Sequence, residues 1–126
     1  MKEAKEYFDF YDVSCSSDAK ETFNQIRISH NIEEYRHLGK IVSLSVKISK
    51  RVNHKKILKS DVLSALILFY LTDRKHGNNE LFEKLKPIIS DDIEFNTIVT
   101  NLILGQFIEK QDGYLKINSE QLFRDT

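Results

Sequence analysis

The sequence contains no tryptophan, one proline, one cysteine and four glycines. Proline and glycine are the residues that most often interrupt helices, so their scarcity favours a mostly helical fold. The single cysteine, Cys15, excludes a disulfide within the chain. We therefore expect a reducing compartment, which is the cytoplasm.

Long apolar runs are also missing. No stretch reaches the roughly 18 consecutive apolar residues of a transmembrane helix, so we expect no membrane contact. The first ten residues, MKEAKEYFDF, are acidic and aromatic, unlike the basic and then apolar start of a signal peptide. With 126 residues, 40% of them hydrophobic, the chain has the size and composition of one folded domain over residues 1–126.

Motifs of catalysis and of metal binding are absent from the sequence. It has no glycine-rich phosphate loop and no nucleophile beside an evident base. The four histidines, His30, His37, His54 and His76, are scattered, and none lies four residues from another or beside Cys15. The sequence therefore predicts no enzyme, no cofactor and no metal site.

The net charge is zero, but the charges are unevenly distributed. Residues 36–59 carry eight basic side chains and no Asp or Glu. Residues 1–35 carry four basic and eight acidic groups, and residues 60–126 carry seven basic and eleven acidic groups. A nucleic-acid-binding domain is usually basic overall, so attraction to a polyanion here depends on the local field of the central stretch. Neutralisation of this stretch by its acidic flanks, within the fold or across a dimer, is the alternative that the sequence leaves open.

The central stretch predicts a helix from about Ile32 to Asn53 with two distinct faces. Five side chains spaced three and four apart form a narrow seam, which we expect to be a homodimer interface. The seam consists of Leu38, Ile41, Ser45, Ile48 and Val52. Basic side chains lie on the opposite side of the helix, where we expect them to bind nucleic acid. This basic stripe consists of Arg36, Lys40, Lys47 and Arg51, with Lys50 and Lys55 beside them.

The flanking sequence predicts further helices. Residues 2–12 are amphipathic, and Asp18 with Glu21 is typical of a helix start. That second helix is expected to end near residues 29–31, although one long helix through this point stays open. Residues 62–71 are apolar at every position except Ser64, which predicts a helix buried on nearly all sides.

The C-terminal half continues with two helices and a hairpin. A short helix over residues 80–86 precedes Pro87, and a longer helix over residues 91–104 follows a capping Ser90. Its predicted apolar face consists of Ile93, Ile98, Leu102 and Ile103. Two short alternating runs flank Asp112-Gly113, which is a strong hairpin signal and places the hairpin within residues 106–118.

The order of these elements resembles a winged helix-turn-helix, more narrowly the MarR/SarA type of small bacterial regulator. Four segments carry the resemblance, which covers about half of the chain. They are residues 59–71, residues 80–85, residues 93–104 and residues 106–117. The resemblance implies a mostly α fold with an N-terminal helical dimerisation region, residues 1–58. It implies a winged-helix part, residues 59–126, that ends in a small β-hairpin.

The resemblance also implies a DNA-binding site. The helix over residues 91–104 takes the place of the recognition helix, and residues 110–116 take the place of the wing. Asparagine bonds adenine through two hydrogen bonds and threonine reaches base edges, so the polar positions of the helix form the implied base-facing set. This set is Asn96, Thr97, Thr100 and Asn101, and the implied cations of the wing are Lys110 and Lys116.

Two functions are consistent with these features. The first is a homodimeric transcription regulator that binds double-stranded DNA through the basic helix and the wing. The second is a winged-helix protein-interaction module, an adaptor or antagonist that binds an acidic protein partner without DNA. The basic stretch and the element order favour the first. The helix over residues 91–104 favours the second, because it begins with acids that repel phosphate and contains no Lys or Arg.

Overall fold

The computed structural model describes residues 15–29 and 35–118, and these residues form a mostly helical structure with a small antiparallel sheet. The helices are α1 (Ser17–Ser29), α2 (Tyr35–Arg51), α3 (Lys59–Leu71), α4 (Asn78–Leu85) and α5 (Asp92–Leu104). The strands are β1 (His76–Gly77), β2 (Ile108–Gln111) and β3 (Tyr114–Ile117). The helix predicted over residues 2–12 lies outside the described residues, as does most of the predicted break near residues 29–31.

The chain divides after Leu66 into two compact units, so the division falls within α3. The sequence had placed the boundary between the N-terminal helices and the winged-helix part at residues 58 and 59. We call the part up to Leu66 the first unit and the part from Ile67 the second unit. None of the described helices is long and apolar enough to cross a membrane.

The first unit is built from α1, α2 and the first half of α3. In α1 the side chains of Ala19, Phe23 and Ile26 are buried, three and four residues apart, as an amphipathic helix requires. Cys15 and Ile57 form an isolated parallel bridge, in which the Ser16 N–H donates to the Ile57 carbonyl at 2.9 Å. This bridge ties the start of α1 to the loop between α2 and α3.

Asn53 ends the central helix. Its φ of 62° is left-handed, a conformation that asparagine tolerates better than most residues. The His54 N–H then donates to the Ser49 carbonyl at 2.9 Å, which satisfies one of the open carbonyls of the last turn. The helix therefore ends at Arg51, two residues before its predicted end at Asn53.

Helix α3 is buried from Val62 to Leu68, within the apolar segment of residues 62–71 that predicted a buried helix. It begins at Lys59. The Asp61 carboxylate lies in the first turn and reaches back to accept the Leu58 N–H at 2.9 Å. Burial decreases at Phe69 and Tyr70, which are partly exposed.

In the second unit the predicted hairpin is present. Strands β2 and β3 pair with Ile108 opposite Ile117 and Gln111 opposite Tyr114. Asp112 (φ 54°) and Gly113 (φ 80°) both have the positive φ that a tight two-residue hairpin turn needs. The sequence did not predict β1, which pairs with β3 and gives the sheet the order β1-β3-β2.

Helices α4 and α5 pack against each other through the rings of Phe82 and Phe95, whose centroids are 5.1 Å apart. Asp91 caps α5 by accepting the Ile93 N–H at 2.9 Å, so the prediction that Ser90 caps this helix is wrong. Gly105 follows the last residue of α5. The β-hairpin begins three residues later, and β2 contacts α5.

Candidate nucleic-acid interface

The predicted basic stripe lies on the exposed face of α2. Lys40, Lys47 and Lys50 are exposed, and Arg51 is partly exposed. Arg36 belongs to the same helix, but its side chain is outside the described part of the structure. Because the opposite face of α2 is buried, the helix separates its cations from its apolar side chains, as its spacing predicted.

The loop between α2 and α3 extends this positive surface. Lys55 and Lys56 are exposed in the loop, and Lys59 is exposed at the start of α3. The next carboxylate along the chain, Asp61, is turned inward and only 3% of its side chain is exposed. It accepts the Leu58 N–H and lies 2.9 Å from Nδ1 of His54. From residue 37 to residue 60 the exposed charges are therefore all positive.

The predicted seam on α2 is not a free surface. Leu38, Ile41 and Ser45 are completely buried and Ile48 is 4% exposed, so these side chains already pack within a single chain. The Ser45 hydroxyl donates to the Ile41 carbonyl at 2.9 Å, which explains how a polar group is tolerated there. Only Val52, 44% exposed, remains accessible to a second copy. Four of the five residues predicted for the dimer interface thus belong to the core, and the homodimer itself stays a prediction.

The implied base-facing residues share one exposed face of α5. All four are exposed, and together with Ile93 they line a shallow depression of about 350 Å³. They are Asn96, Thr97, Thr100 and Asn101. The Thr97 hydroxyl donates to the Ile93 carbonyl at 2.8 Å, so its proton is used within the helix. The spacing therefore placed these four residues together correctly.

The predicted apolar face of α5 omitted Phe95 and Val99, which are buried. On the exposed face, sequence reasoning misplaced Ile93 and missed Leu104. Ile93 was predicted to lie on the apolar face, but it is 72% exposed, and Leu104 is 75% exposed. The helical angle carried the signal, because at 100° per residue both positions fall beside Thr97 and Thr100 rather than beside Ile98 and Leu102. The exposed face of α5 is therefore polar in its middle and apolar at both ends.

The electrostatics of α5 differ from those of α2. Asp91 and Asp92 are exposed at its start, where they suit the positive end of the helix dipole. The helix has no Lys or Arg to offset them. Its first turn thus repels phosphate, and its exposed middle is uncharged.

The two cations implied for the wing point to opposite faces of the hairpin. In the β2–β3 register, Lys110 is opposite Leu115 whereas Lys116 is opposite Glu109. Cross-strand partners share a face and neighbouring residues alternate, so Lys110 and Lys116 lie on different faces. One flat surface of DNA cannot lie against both in the same way.

Lys116 instead shares a cavity of about 330 Å³ with basic residues that the sequence did not single out. The cavity is lined by Leu71, Arg74, Lys75, Gln111, Asp112, Tyr114, Lys116 and Ile117. The Lys75 ammonium lies 4.7 Å from the centre of the Tyr114 ring, a cation–π contact. Sequence reasoning missed Arg74 and Lys75 because the two-residue strand that brings their segment to the hairpin is too short to predict.

Arg74 is already engaged by a carboxylate. Its guanidinium donates to Glu80 at 2.9 Å, and the other carboxylate oxygen lies 3.3 Å from both the Gly77 N–H and Nδ1 of His76. The hydrogen bond from Arg74, with its positive charge, lowers the pKa of Glu80 from 4.5 to about 2. The same hydrogen bond raises the pKa of Arg74. This network fixes the segment that precedes α4.

The described residues contain no group of three His, Cys, Asp or Glu side chains arranged to hold a metal ion. In the first unit the candidate features are the cations on α2 and its following loop. In the second unit they are an uncharged face on α5 and a small basic cavity beside the hairpin. The chain matches no protein-family model, no curated protein and no solved structure.

Proposed function

We propose that this chain is a DNA-binding transcription regulator whose main contact with DNA is the phosphate backbone. The observation that carries the proposal is the exposed positive surface of α2 and the loop after it, which contains no exposed carboxylate between residues 37 and 60. Lysine and arginine side chains on one face of a helix form the usual electrostatic footprint of a phosphate-binding surface.

The second unit supports a winged helix-turn-helix as the architecture of the proposed regulator. Two helices that pack through Phe82 and Phe95 precede a hairpin, and β1 completes a three-stranded antiparallel sheet. This arrangement is compatible with a winged helix of the MarR/SarA type. In the proposal, Lys116 with Arg74 and Lys75 supplies a second, smaller set of phosphate contacts.

Binding through phosphate contacts depends strongly on salt. Each neutralised phosphate of B-DNA contributes a slope of about −0.9 to the logarithmic plot of affinity against salt concentration. For two to six contacts, raising the salt from about 50 to about 200 mM weakens binding by roughly 10- to 1,000-fold.

The proposal is tested by fluorescence anisotropy with a labelled random duplex at those two salt concentrations. We expect binding at the lower salt that is lost at the higher salt. The variant Lys50→Glu/Lys55→Glu is expected to bind at least about tenfold more weakly, since it replaces two exposed cations with acids.

A matched control keeps the same change of net charge. Lys84→Glu/Lys86→Glu reverses two exposed lysines of α4 and its C-cap, outside the basic surface, and should bind DNA within about threefold of the wild type. Absence of wild-type binding at about 50 mM salt would contradict the proposal, since phosphate contacts are strongest there. Equal losses in both double variants would show that only the total charge matters.

The second candidate function is a protein-interaction module that binds an acidic protein through the same cations. It is favoured by α5, whose exposed Asp91 and Asp92 repel phosphate and whose Ile93 and Leu104 expose apolar surface. If DNA does not bind at low salt, the test is capture of acidic protein partners by the wild type and by Lys50→Glu/Lys55→Glu. Capture that the variant loses would favour this function.

A further inference from the structure

The exposed face of α5 carries a regular stripe of four side chains. Ile93, Thr97, Thr100 and Leu104 are spaced by four, three and four residues, and all four are exposed. At 100° per residue they fall within about 60° of each other when viewed along the helix axis. We call this set the α5 stripe. Its spacing is that of the seam along which two helices pack in a coiled coil.

Beyond the first turn of α5, which contains Asp92 and Glu94, the α5 stripe has no charged neighbour on its own helix. No residue from Phe95 to Leu104 is charged, although the chain as a whole is 30% charged. The neighbours of the stripe on the exposed face are the amides of Asn96 and Asn101. Depletion of charged residues at the centre, with apolar side chains of appreciable size, is typical of protein interfaces.

We propose that the α5 stripe pairs with the α5 stripe of a second copy of this chain, with the two helices antiparallel. The pattern supports this arrangement because it reads the same in both directions, as a large aliphatic side chain, two threonines and a large aliphatic side chain. A two-fold axis midway between Thr97 and Thr100 places each Ile93 level with Leu104 of the other copy. A two-fold interface requires such self-complementarity.

Charge selects the antiparallel direction. If the helices were parallel, Asp91 and Asp92 of both copies would meet at one end of the pair and repel each other. In the antiparallel pair these acids lie at opposite ends, about 20 Å apart along the axis at 1.5 Å per residue. That separation is roughly twice the Debye length at physiological salt, so the repulsion is largely screened.

The pairing goes beyond the proposed function and gives α5 a different role from base contact. The seam on α2 that was predicted to form the dimer is buried within the chain, whereas the α5 stripe is exposed. A second copy would cover Thr97 and Thr100, so these residues would not contact bases in the paired state. Contact with DNA would remain with the cations of α2 and its loop.

The contact is expected to be weak. A stripe three helical turns long buries less than the roughly 800 Å² per partner that is usual in stable complexes. We therefore expect a monomer–dimer equilibrium that shifts across the micromolar range, measurable by sedimentation equilibrium of the full chain without DNA.

Two exposed isoleucines provide a matched test. Ile93→Asp places a charge in the α5 stripe, and Ile28→Asp places the same charge on α1, where Ile28 is 70% exposed. We expect Ile93→Asp to weaken dimerisation by at least tenfold, because a buried unpaired carboxylate is unfavourable. Ile28→Asp should dimerise like the wild type. Circular dichroism confirms that both variants are folded.

Cysteine cross-linking tests the direction of the helices. In a Cys15→Ser background, Ile93→Cys alone should form no disulfide. Residue 93 of one copy is about 16 Å along the axis from residue 93 of the other copy in the antiparallel pair. Ile93→Cys with Leu104→Cys should form dimers joined by disulfides. Cross-linking of the single variant would overturn the antiparallel arrangement.

The proposal fails if the wild type stays monomeric up to high micromolar concentration, or if Ile93→Asp and Ile28→Asp dimerise equally. These outcomes are separate from the test of DNA binding, since no DNA is present. A dimer that does not bind DNA would retain the α5 pairing and reject the DNA-binding function, and a monomer that binds DNA would do the reverse.

Discussion

Helices α2 and α5 both have one buried and one exposed face, but the exposed face of α2 is positively charged and that of α5 is not. The exposed face of α2 carries Lys40, Lys47 and Lys50, whereas that of α5 carries no cation and ends in two exposed apolar side chains. On α2, spacing alone could not assign the apolar seam, because such a seam serves equally for a core or for an interface. The charge of the exposed face, more than the apolar period, therefore separates the roles proposed for the two helices.

In each unit a carboxylate in the first turn of a helix accepts a backbone N–H that precedes the helix and lies beside a histidine. We call each such carboxylate the anchor of its helix. Asp61 accepts the Leu58 N–H and lies beside His54, and Glu80 accepts the Gly77 N–H and lies beside His76. In the first unit the carboxylate is buried and the histidine is partly exposed. In the second unit the histidine is buried and the carboxylate is exposed. The buried carboxylate should therefore matter more for stability.

The largest expected change in stability tests whether the apolar seam of α2 belongs to the core or to a dimer interface. Leu38→Ala removes a completely buried side chain and should lower the free energy of unfolding by about 2–5 kcal/mol. Val52→Ala, at the exposed end of the same seam, should change it by no more than about 0.5 kcal/mol. Urea unfolding at two protein concentrations checks both. Equal effects of the two substitutions would indicate that the seam is a dimer interface. So would a loss of stability in Leu38→Ala that depends on the protein concentration.

The next effect tests the buried anchor of the first unit. Asp61→Ala removes the acceptor of the Leu58 N–H and the partner of His54, and it should destabilise the protein by about 2 kcal/mol. Asp73→Ala is the control, because Asp73 is exposed in the loop after α3, and it should cost less than about 0.5 kcal/mol. If the urea midpoints of the two variants coincide, the contacts of Asp61 do not contribute to stability.

The exposed anchor of the second unit predicts a dependence on pH. The pKa of Glu80 is lowered from 4.5 to about 2, so the folded state holds fewer protons than the unfolded state in this range. The contribution of Glu80 to stability is therefore fully present above pH 4.5 and is lost as the pH falls towards 2.

Thermal unfolding of the wild type and of Glu80→Gln measures this contribution. The wild type should have the higher midpoint near neutral pH, and the difference between the two proteins should shrink as the pH falls through this range. The other carboxylates titrate in both proteins and cancel in the comparison. A difference that is constant with pH would remove the link between Glu80 and the Arg74 network.

The smallest expected change in stability concerns two glycines in different backbone conformations, Gly39 in a helix of the first unit and Gly113 in the hairpin turn of the second unit. Gly39 lies within α2, and a Cβ there would meet nothing within 4 Å. Gly39→Ala should therefore stabilise the protein by about 0.5–1 kcal/mol, through better helix propensity. Gly113→Ala should destabilise it by about 1 kcal/mol, since its φ of 80° is strained for alanine. Changes of the same sign would contradict this assignment.

Features set by local chemistry were predictable from the sequence. The Asp112-Gly113 turn gave the hairpin, because few residue pairs adopt positive φ at both positions. The apolar run, interrupted only by Ser64, predicted the burial of α3 from Val62 to Leu68. The exposed cations of α2 and the shared face of the four polar residues on α5 followed from helical spacing.

Features set by distant parts of the chain were not predictable. Strand β1 has two residues, and only its pairing with β3 defines it. The burial of the α2 seam depends on what packs against it, and spacing carries no such information. For the same reason Arg74 and Lys75 beside Lys116 were missed.

We expect α2 and its loop to contact DNA and α5 to make no contact with it. The most direct measurement is the slope of logarithmic DNA affinity against logarithmic salt concentration. For Lys50→Gln/Lys55→Gln we predict weaker binding and a slope smaller in magnitude by about 1.8, or 0.9 for each lost phosphate contact. For Asn96→Ala/Asn101→Ala we predict the affinity and slope of the wild type. An unchanged slope in the lysine variant, with lost affinity in the asparagine variant, would show that α5, and not α2 with its loop, contacts DNA.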